Sequence, residues 1–276
     1  VLGSGGTFTQ NGDSTLGFNM ATNGGGMYLN FGSATLSGGQ IISNAASVGG
    51  GVYVDLGSAT LDGGQISGNS ATSGGGAYVG FNGSATLSGG QVLSNTATSD
   101  GGGICNIGSL SLVNTTVSGN TASNRGGGIY NLAKSAVLTY TTVTSNTATS
   151  GGSGIHRVDG TVLLKNTIVA YNGTANCGPA LTSNGHNLDS DDTCSLTSTT
   201  DITSTNPLLG PLGFDRGTWV HPLLDGSPAI NAGDCVPAVT TVDQRGVTRP
   251  QVGKCDIGAY EWIARKVYLP LLLRNY

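Results

Sequence analysis

The chain has 276 residues, of which 48 are glycine and only 9% are charged, with a formal net charge of −4. Collagen is excluded because the glycines do not fall on every third position, and wholesale disorder because 37% of the residues are hydrophobic and recur regularly. No Lys or Arg precedes Arg125, so the first half offers no basic footprint for nucleic acid.

The chain opens at Val1 with neither an initiator Met nor a charged-then-apolar leader, and the expectation is a processed, secreted protein. From there a period of about 25 residues dominates. Glycine triplets begin at Gly24, Gly49, Gly74, Gly101 and Gly126, and a degenerate copy starts at Gly151. An asparagine recurs at Asn19, Asn44, Asn69, Asn95, Asn120, Asn146 and Asn172. Seven coils are visible, the first incomplete.

Within a coil the apolar residues alternate, which is the signature of strands rather than helices. Ile41, Ile66, Val92, Val117, Val143 and Val169 form one column, and Leu36, Leu61, Leu87, Leu112, Leu138 and Leu164 another. Short strands separated by Gly, Ser and Asn corners, with like residues returning once per coil, predict an all-β parallel solenoid, each strand pairing with the coils above and below. Glycine is needed at corners that require φ > 0 or close backbone approach. Asparagine tolerates such corners, and its amides can hydrogen-bond one another along the rod.

All eight prolines lie at or after Pro179, as do both tryptophans, and four of the five cysteines lie beyond residue 176. Proline inside a paired strand would forfeit a ladder hydrogen bond. The expected organisation is therefore a parallel β-helix over residues 1–172, a loop-rich module over 173–262 covering the C-terminal end of the solenoid, and a tail over 263–276. The tail's apolar run is interrupted by Pro270 and falls short of the roughly 20 residues that a membrane-spanning helix needs.

The segments Gly-Gly-Gly-Ile-Tyr-Asn (residues 126–131) and Thr-Thr-Val-Ser-Gly-Asn-Thr-Ala (115–122) resemble repeats of secreted bacterial right-handed β-helix proteins of the pectin-lyase-like and polymorphic outer-membrane-protein groups. The second module resembles the choice-of-anchor domain that often follows such repeats, through Ser-Asn-Gly-His-Asn-Leu (183–188), Gly-Ser-Pro-Ala-Ile (226–230), Asp-Gln-Arg-Gly (243–246) and Cys-Asp-Ile-Gly-Ala-Tyr-Glu (255–261). The resemblance implies right-handed coiling and an extracellular or cell-surface location, and leaves the activity open.

Cys177, Cys194, Cys235 and Cys255 suggest disulfides in a secreted chain, with three connectivities open; nearest-neighbour pairing, Cys177 with Cys194 and Cys235 with Cys255, is the expected one. Cys105 is left as a free thiol. It shares a column with Tyr28, Tyr53, Tyr78, Tyr130 and His156 that alternation turns outward, where it can stack between rungs, bind sugar rings or meet another chain. Asp189 and Asp191 have a spacing able to supply oxygen ligands to Ca²⁺, although a solvated loop is the plainer reading; no other cofactor is implied.

Chemistry is sparsely provided. Asp13, Asp55, Asp62 and Asp100 share no column, the three histidines are scattered, and Glu261 is the single glutamate, so no paired carboxylates, zinc helix or nucleophile elbow can be assembled from the pattern. The expectation is a non-enzymatic extracellular structural protein that self-associates head to tail into a homopolymer. Its open N-terminal coil would meet a neighbour's C-terminal module or tail, with Tyr268, Leu269, Leu271 and Leu273 as anchors. The alternatives are a surface adhesin binding glycans through the tyrosine row, and a polysaccharide lyase or hydrolase.

Overall fold

The computed structural model describes residues 7–12 and 14–264. A complete coil contains four short strands, as in Met27–Leu29, Ser33–Ser37, Gln40–Ile42 and Ala45–Val48. Each pairs in parallel with its equivalent one coil on, so that Ala34 lies against Ala59, Leu36 against Leu61 and Ile41 against Ile66. Four parallel sheets of seven, eight, nine and six strands result, and the described residues contain no helix. The fold is the all-β parallel solenoid of about seven coils that the period predicts.

Alternation explains which side chains meet. In Ser58–Asp62 only Ala59 and Leu61 are buried, while Ser58, Thr60 and Asp62 point out. The Leu and Ile/Val columns close into one core running from Met27 to Cys194. Each fully buried Leu or Ile contributes about 1.5–3 kcal/mol. The triplet of Gly74, Gly75 and Gly76 shows why three glycines stand together. Gly74 has φ +66°, a Cβ on Gly75 would stand inside the carbonyls of Thr96 and Gly102, and one on Gly76 would lie 2.6 Å from the Gly103 oxygen and 2.9 Å from the Asn95 amide nitrogen.

Strand pairing and the expected boundary at residue 172 do not coincide. Cys177–Gly178 pairs with Ile155–Arg157, Thr182–Ser183 with Thr161–Lys165, and Leu188–Asp189 with Ile168–Ala170, itself followed by Ile202–Thr203. Pro179 is accommodated because Cys177–Gly178 is the last strand of its sheet, where no further ladder bond is required. The Cys177–Cys194 disulfide loop closes the rod, with Leu181 and Cys194 buried at the end of the core and Leu196 packed against it.

The part of the module beyond Asn206 lies along the flank of the rod rather than over its end. Ile168, Ala170 and Leu188 of the solenoid share a second apolar cluster with Leu223, Ala229 and Ile257. The Cys235–Cys255 disulfide ties this layer together. The corner that faces it explains the placement. After each five-residue strand the chain turns through a residue with positive φ: Gly38, Gly63 and Gly89 in successive coils, then Asn114, Tyr140 and Asn166, with φ of 47°, 50° and 50°. The three non-glycine corners carry the side chains that hold the flanking layer.

Candidate functional site

The asparagine column forms one continuous ladder. Each asparagine donates its backbone N–H and one Nδ2 hydrogen to the Oδ1 of the next coil's asparagine, at 2.9–3.0 Å from Asn19 to Asn172. The second Nδ2 hydrogen goes to a strand carbonyl, as from Asn69 to Ile41. Asn172 repeats the pattern onto Asn176, whose Nδ2 donates 2.8 Å to Oδ1 of the buried Asp189. A second column ends in the same way. Thr167 donates its N–H to Oδ1 of Asn187, which donates its own N–H and Nδ2 to Asp201. Both ladders therefore donate toward the C-terminal end and stop on a carboxylate, which has only acceptors to offer.

This accounts for Asp189 and Asp191 differently from a cation site. Asp189 accepts from Asn176, from the Asp191 N–H and, at 2.8 Å, from the Cys194 N–H; Asp191 accepts from the Asn176 N–H and from both the N–H and hydroxyl of Thr193. All four oxygens already face donors, so the pair does not fit Ca²⁺, which requires its oxygen ligands free. Burial pushes Asp189 up to about 6 despite these hydrogen bonds. At Asp191, burial acts in the same direction but the Thr193 and Asn176 donors outweigh it and hold the carboxyl low. Among the described residues no group of three or more His, Cys, Asp or Glu side chains gathers to hold a metal.

In the tyrosine row Tyr28, Tyr53 and Tyr78 face outward half buried, Tyr130 is buried, and the rings stack on one another. The Tyr28 and Tyr53 ring centroids lie 5.2 Å apart, those of Tyr53 and Tyr78 5.0 Å apart edge to face, and Tyr130 stacks on His156 at 5.8 Å. The Tyr28 and Tyr53 hydroxyls both donate to Asp55. Burial, then the Asp55 charge, pushes Tyr53 up to about 12. Cys105 interrupts the row as a buried free thiol that burial pushes up to about 12, so it is a packing residue rather than a nucleophile at neutral pH.

The joint between rod and flanking layer uses residues of the segments 243–249 and 255–261. Gln244 accepts from the Thr116 hydroxyl at 2.7 Å and donates to Thr218 and to the Trp219 carbonyl. Arg245 pairs with Asp243 at 2.7 Å and Arg249 with Glu261 at 2.8 Å, all four buried. Arg249 also lies 4.3 Å from the Tyr140 ring centroid, while the Tyr140 hydroxyl donates to the Asp234 carbonyl and accepts from the Val236 N–H. Asn114 donates to Thr240 and Val242, and Asn166 exchanges two hydrogen bonds with the Asp234 backbone. Gly258 is required because a Cβ would press on Ile168 and Thr142 at 2.7 and 2.9 Å. His221 sits 2.9 Å from the Ser118 hydroxyl with its other ring nitrogen on the Gly210 carbonyl, the contact pattern of a base and a nucleophile. Both residues are buried in the joint, and burial lowers the histidine, so the contact joins layers.

The four C-terminal cysteines pair as expected. The proposed tail anchors Tyr268, Leu269, Leu271 and Leu273 lie outside the described residues. The Asn-x-Ser/Thr pattern of a glycosylation sequon occurs at Asn82, Asn114 and Asn172; Asn114 and Asn172 are buried and hydrogen-bonded, and Asn82 is exposed. One feature was missed from sequence: the hairpin Gly213–Asp215 with Thr218–Val220, which presents Phe214 and Trp219. Its sequence signal is slight: both turn residues, Arg216 and Gly217, have positive φ, but of the two only the glycine announces such a turn.

Residues 114–132 match the Chlamydia polymorphic membrane protein (Chlamydia_PMP) repeat. The match covers most of one coil, from the corner at Asn114 through the ladder residue Asn120 and the triplet to Asn131, and together with the fold supports a parallel β-helix repeat protein. No curated protein and no solved structure matches the chain.

Proposed function

We propose that the chain is a structural β-solenoid of a cell surface that extends end to end through its N-terminal coil. The observation that carries this reading is the inequality of the two ends. On the N-terminal side all four sheets finish in strands, Thr7–Asn11, Thr15–Gly17, Met20–Asn23 and Met27–Leu29, whose outer edges have no partner among the described residues. Phe18 and Met20 there are 78% and 87% exposed. Such edges recruit further strands. The C-terminal end is closed by its disulfide loop, so the neighbour's contribution falls to the flanking module or to residues 263–276. A head-to-tail contact of that kind grows filaments unless rotation closes a ring. The surface location is supported by the coil resembling a polymorphic membrane protein repeat and by the two disulfides, which persist in oxidising surroundings.

The test is electron microscopy and sedimentation of the full chain over a range of concentrations. End-to-end oligomers are expected, lost in a Phe18→Lys/Met20→Lys variant whose unfolding midpoint is unchanged. Monomers at every concentration, or oligomers indifferent to both substitutions, would overturn the reading.

A further inference from the structure

The flank that the C-terminal layer covers in the later coils is bare in the earlier ones, and the boundary between the two is a cleft of about 310 Å³. One wall is a column of glutamines, Gln40, Gln65 and Gln91, at the same strand position in successive rungs. The glycine corners at Gly38 and Gly63 line the floor. A Cβ built on Gly63 meets nothing within 4 Å, so the space above that corner is open. The opposite wall is the aromatic hairpin, where Trp219 and Phe214 stand edge to face at 5.5 Å and remain 37% and 64% exposed.

We infer that this cleft binds a neutral, hydroxyl-rich polysaccharide strand. Three properties of the lining select that occupant. Among the described residues no charged side chain lines the cleft, which gives an acidic or basic ligand nothing to pair with. Exposed aromatic faces pack against the apolar C–H face of a pyranose ring, and an amide offers one acceptor and two donors to adjacent hydroxyls. Gln40 makes no side-chain hydrogen bond among the described residues, and Gln65 spends one donor on Ser67 and keeps its carbonyl. Successive rungs also repeat these amides at ~4.8 Å, close to the advance per residue of an extended pyranose chain.

The cleft is held in shape from behind. The Trp219 N–H donates 3.3 Å to Gln91 Oε1, its carbonyl accepts from Gln244, and Gln244 in turn accepts from Thr116 on the solenoid. The hairpin is thus fixed to the rod by backbone contacts, which leaves its aromatic rings to a ligand. The tyrosine row is the weaker platform, because its rings are occupied with one another and its hydroxyls with Asp55.

Cellohexaose, xylohexaose and mannohexaose, with an oligogalacturonate as the acidic comparison, are the probes, and binding is read by calorimetry and by tryptophan fluorescence. At least one neutral hexaose is expected to bind in preference to the oligogalacturonate. Trp219→Ala and Phe214→Ala should each weaken it by about tenfold or more, and the exposed Gln40→Ala by a smaller factor, with unchanged unfolding midpoints. Tyr53→Ala should leave affinity untouched. The inference fails if none of the neutral hexaoses binds, if the acidic oligomer binds best, or if affinity follows Tyr53 rather than Trp219. End-to-end assembly is measured separately with the Phe18→Lys/Met20→Lys variant, so the two readings stand or fall apart.

Discussion

Coils on either side of residue 100 share one backbone and differ in what their corners carry. At the turn after the five-residue strand, Gly38, Gly63 and Gly89 and then Asn114, Tyr140 and Asn166 all adopt positive φ. Where that position is glycine, nothing anchors to it. Where it is asparagine or tyrosine, a second layer is seated by hydrogen bonds to Asp234, Thr240 and Val242. The outward strand position changes in step, from Gln40 and Gln65 to Thr116 and Thr142, whose hydroxyls take Gln244 and the Ala259 N–H. A non-glycine residue in this conformation is tolerated when its side chain recovers the cost through contacts. The same turn is therefore either a bare surface or a docking point, decided by one side chain.

The strongest way to break that contrast is Arg249→Ala, which leaves the Glu261 carboxylate buried without its partner and should cost about 3–5 kcal/mol. Hydrogen exchange should show the loss confined to residues beyond 206 and the coils beneath them, with amides of the coils before residue 100 keeping their protection. Uniform loss would mean that layer and rod unfold as one unit. Tyr140→Gly keeps the corner conformation and removes the ring under Arg249, and should cost about 3 kcal/mol in chemical unfolding, with proteolytic nicking first appearing in the 234–242 segment.

Acid should sharpen the contrast in the opposite direction. Burial raises Asp189 and Asp256 from 3.8 to about 6. Between those values these two groups bind more protons in the folded chain than in the unfolded one, so their contribution to stability falls as pH rises from about 4 through 6. His156 and His221, lowered by burial, act the other way below pH 7, so the check is differential: Asp189→Asn with Asp256→Asn should lower the melting temperature at pH 5, relative to that at pH 7, compared with the parent. The smallest effect belongs to Gly63→Asn, expected within about 1 kcal/mol of the parent by chemical unfolding, because asparagine accepts the conformation and the space is open. A loss as large as that of Tyr140→Gly would show that the bare corners, too, are structurally committed.

What the residue pattern disclosed was everything repeated once per coil. The columns of Leu, Ile/Val and Asn are visible because one physical demand, pairing with an identical rung, selects the same residue each time. The pairing of Cys177 with Cys194 and Cys235 with Cys255 was legible from short separations. The end of the ladder was not, since the step from Asn172 to Asn176 and then to Asp189 abandons the period while preserving the hydrogen bonds. Nor was the flanking position of the module. That depends on Asn114, Tyr140 and Asn166, which read as departures from a glycine column and not as a surface. The aromatic hairpin lies outside the repeat, and its relation to the glutamine column exists only after the module has folded back over more than 100 residues of chain, the separation between Gln91 and Trp219 being 128.

The asparagine ladder gives the coils a copy number that can change without changing anything else. Every rung from Asn44 to Asn146 receives the same bonds from one side and passes the same bonds to the other, so a period removed or duplicated ahead of the coil that carries Gln91 leaves both the closed end and the docked flank as they are. The rod's reach is a tunable quantity, adjusted in whole coils. Because the coils of Gln40 and Gln65 each bring a glutamine and a glycine corner, duplicating one of them would lengthen the amide wall of the cleft.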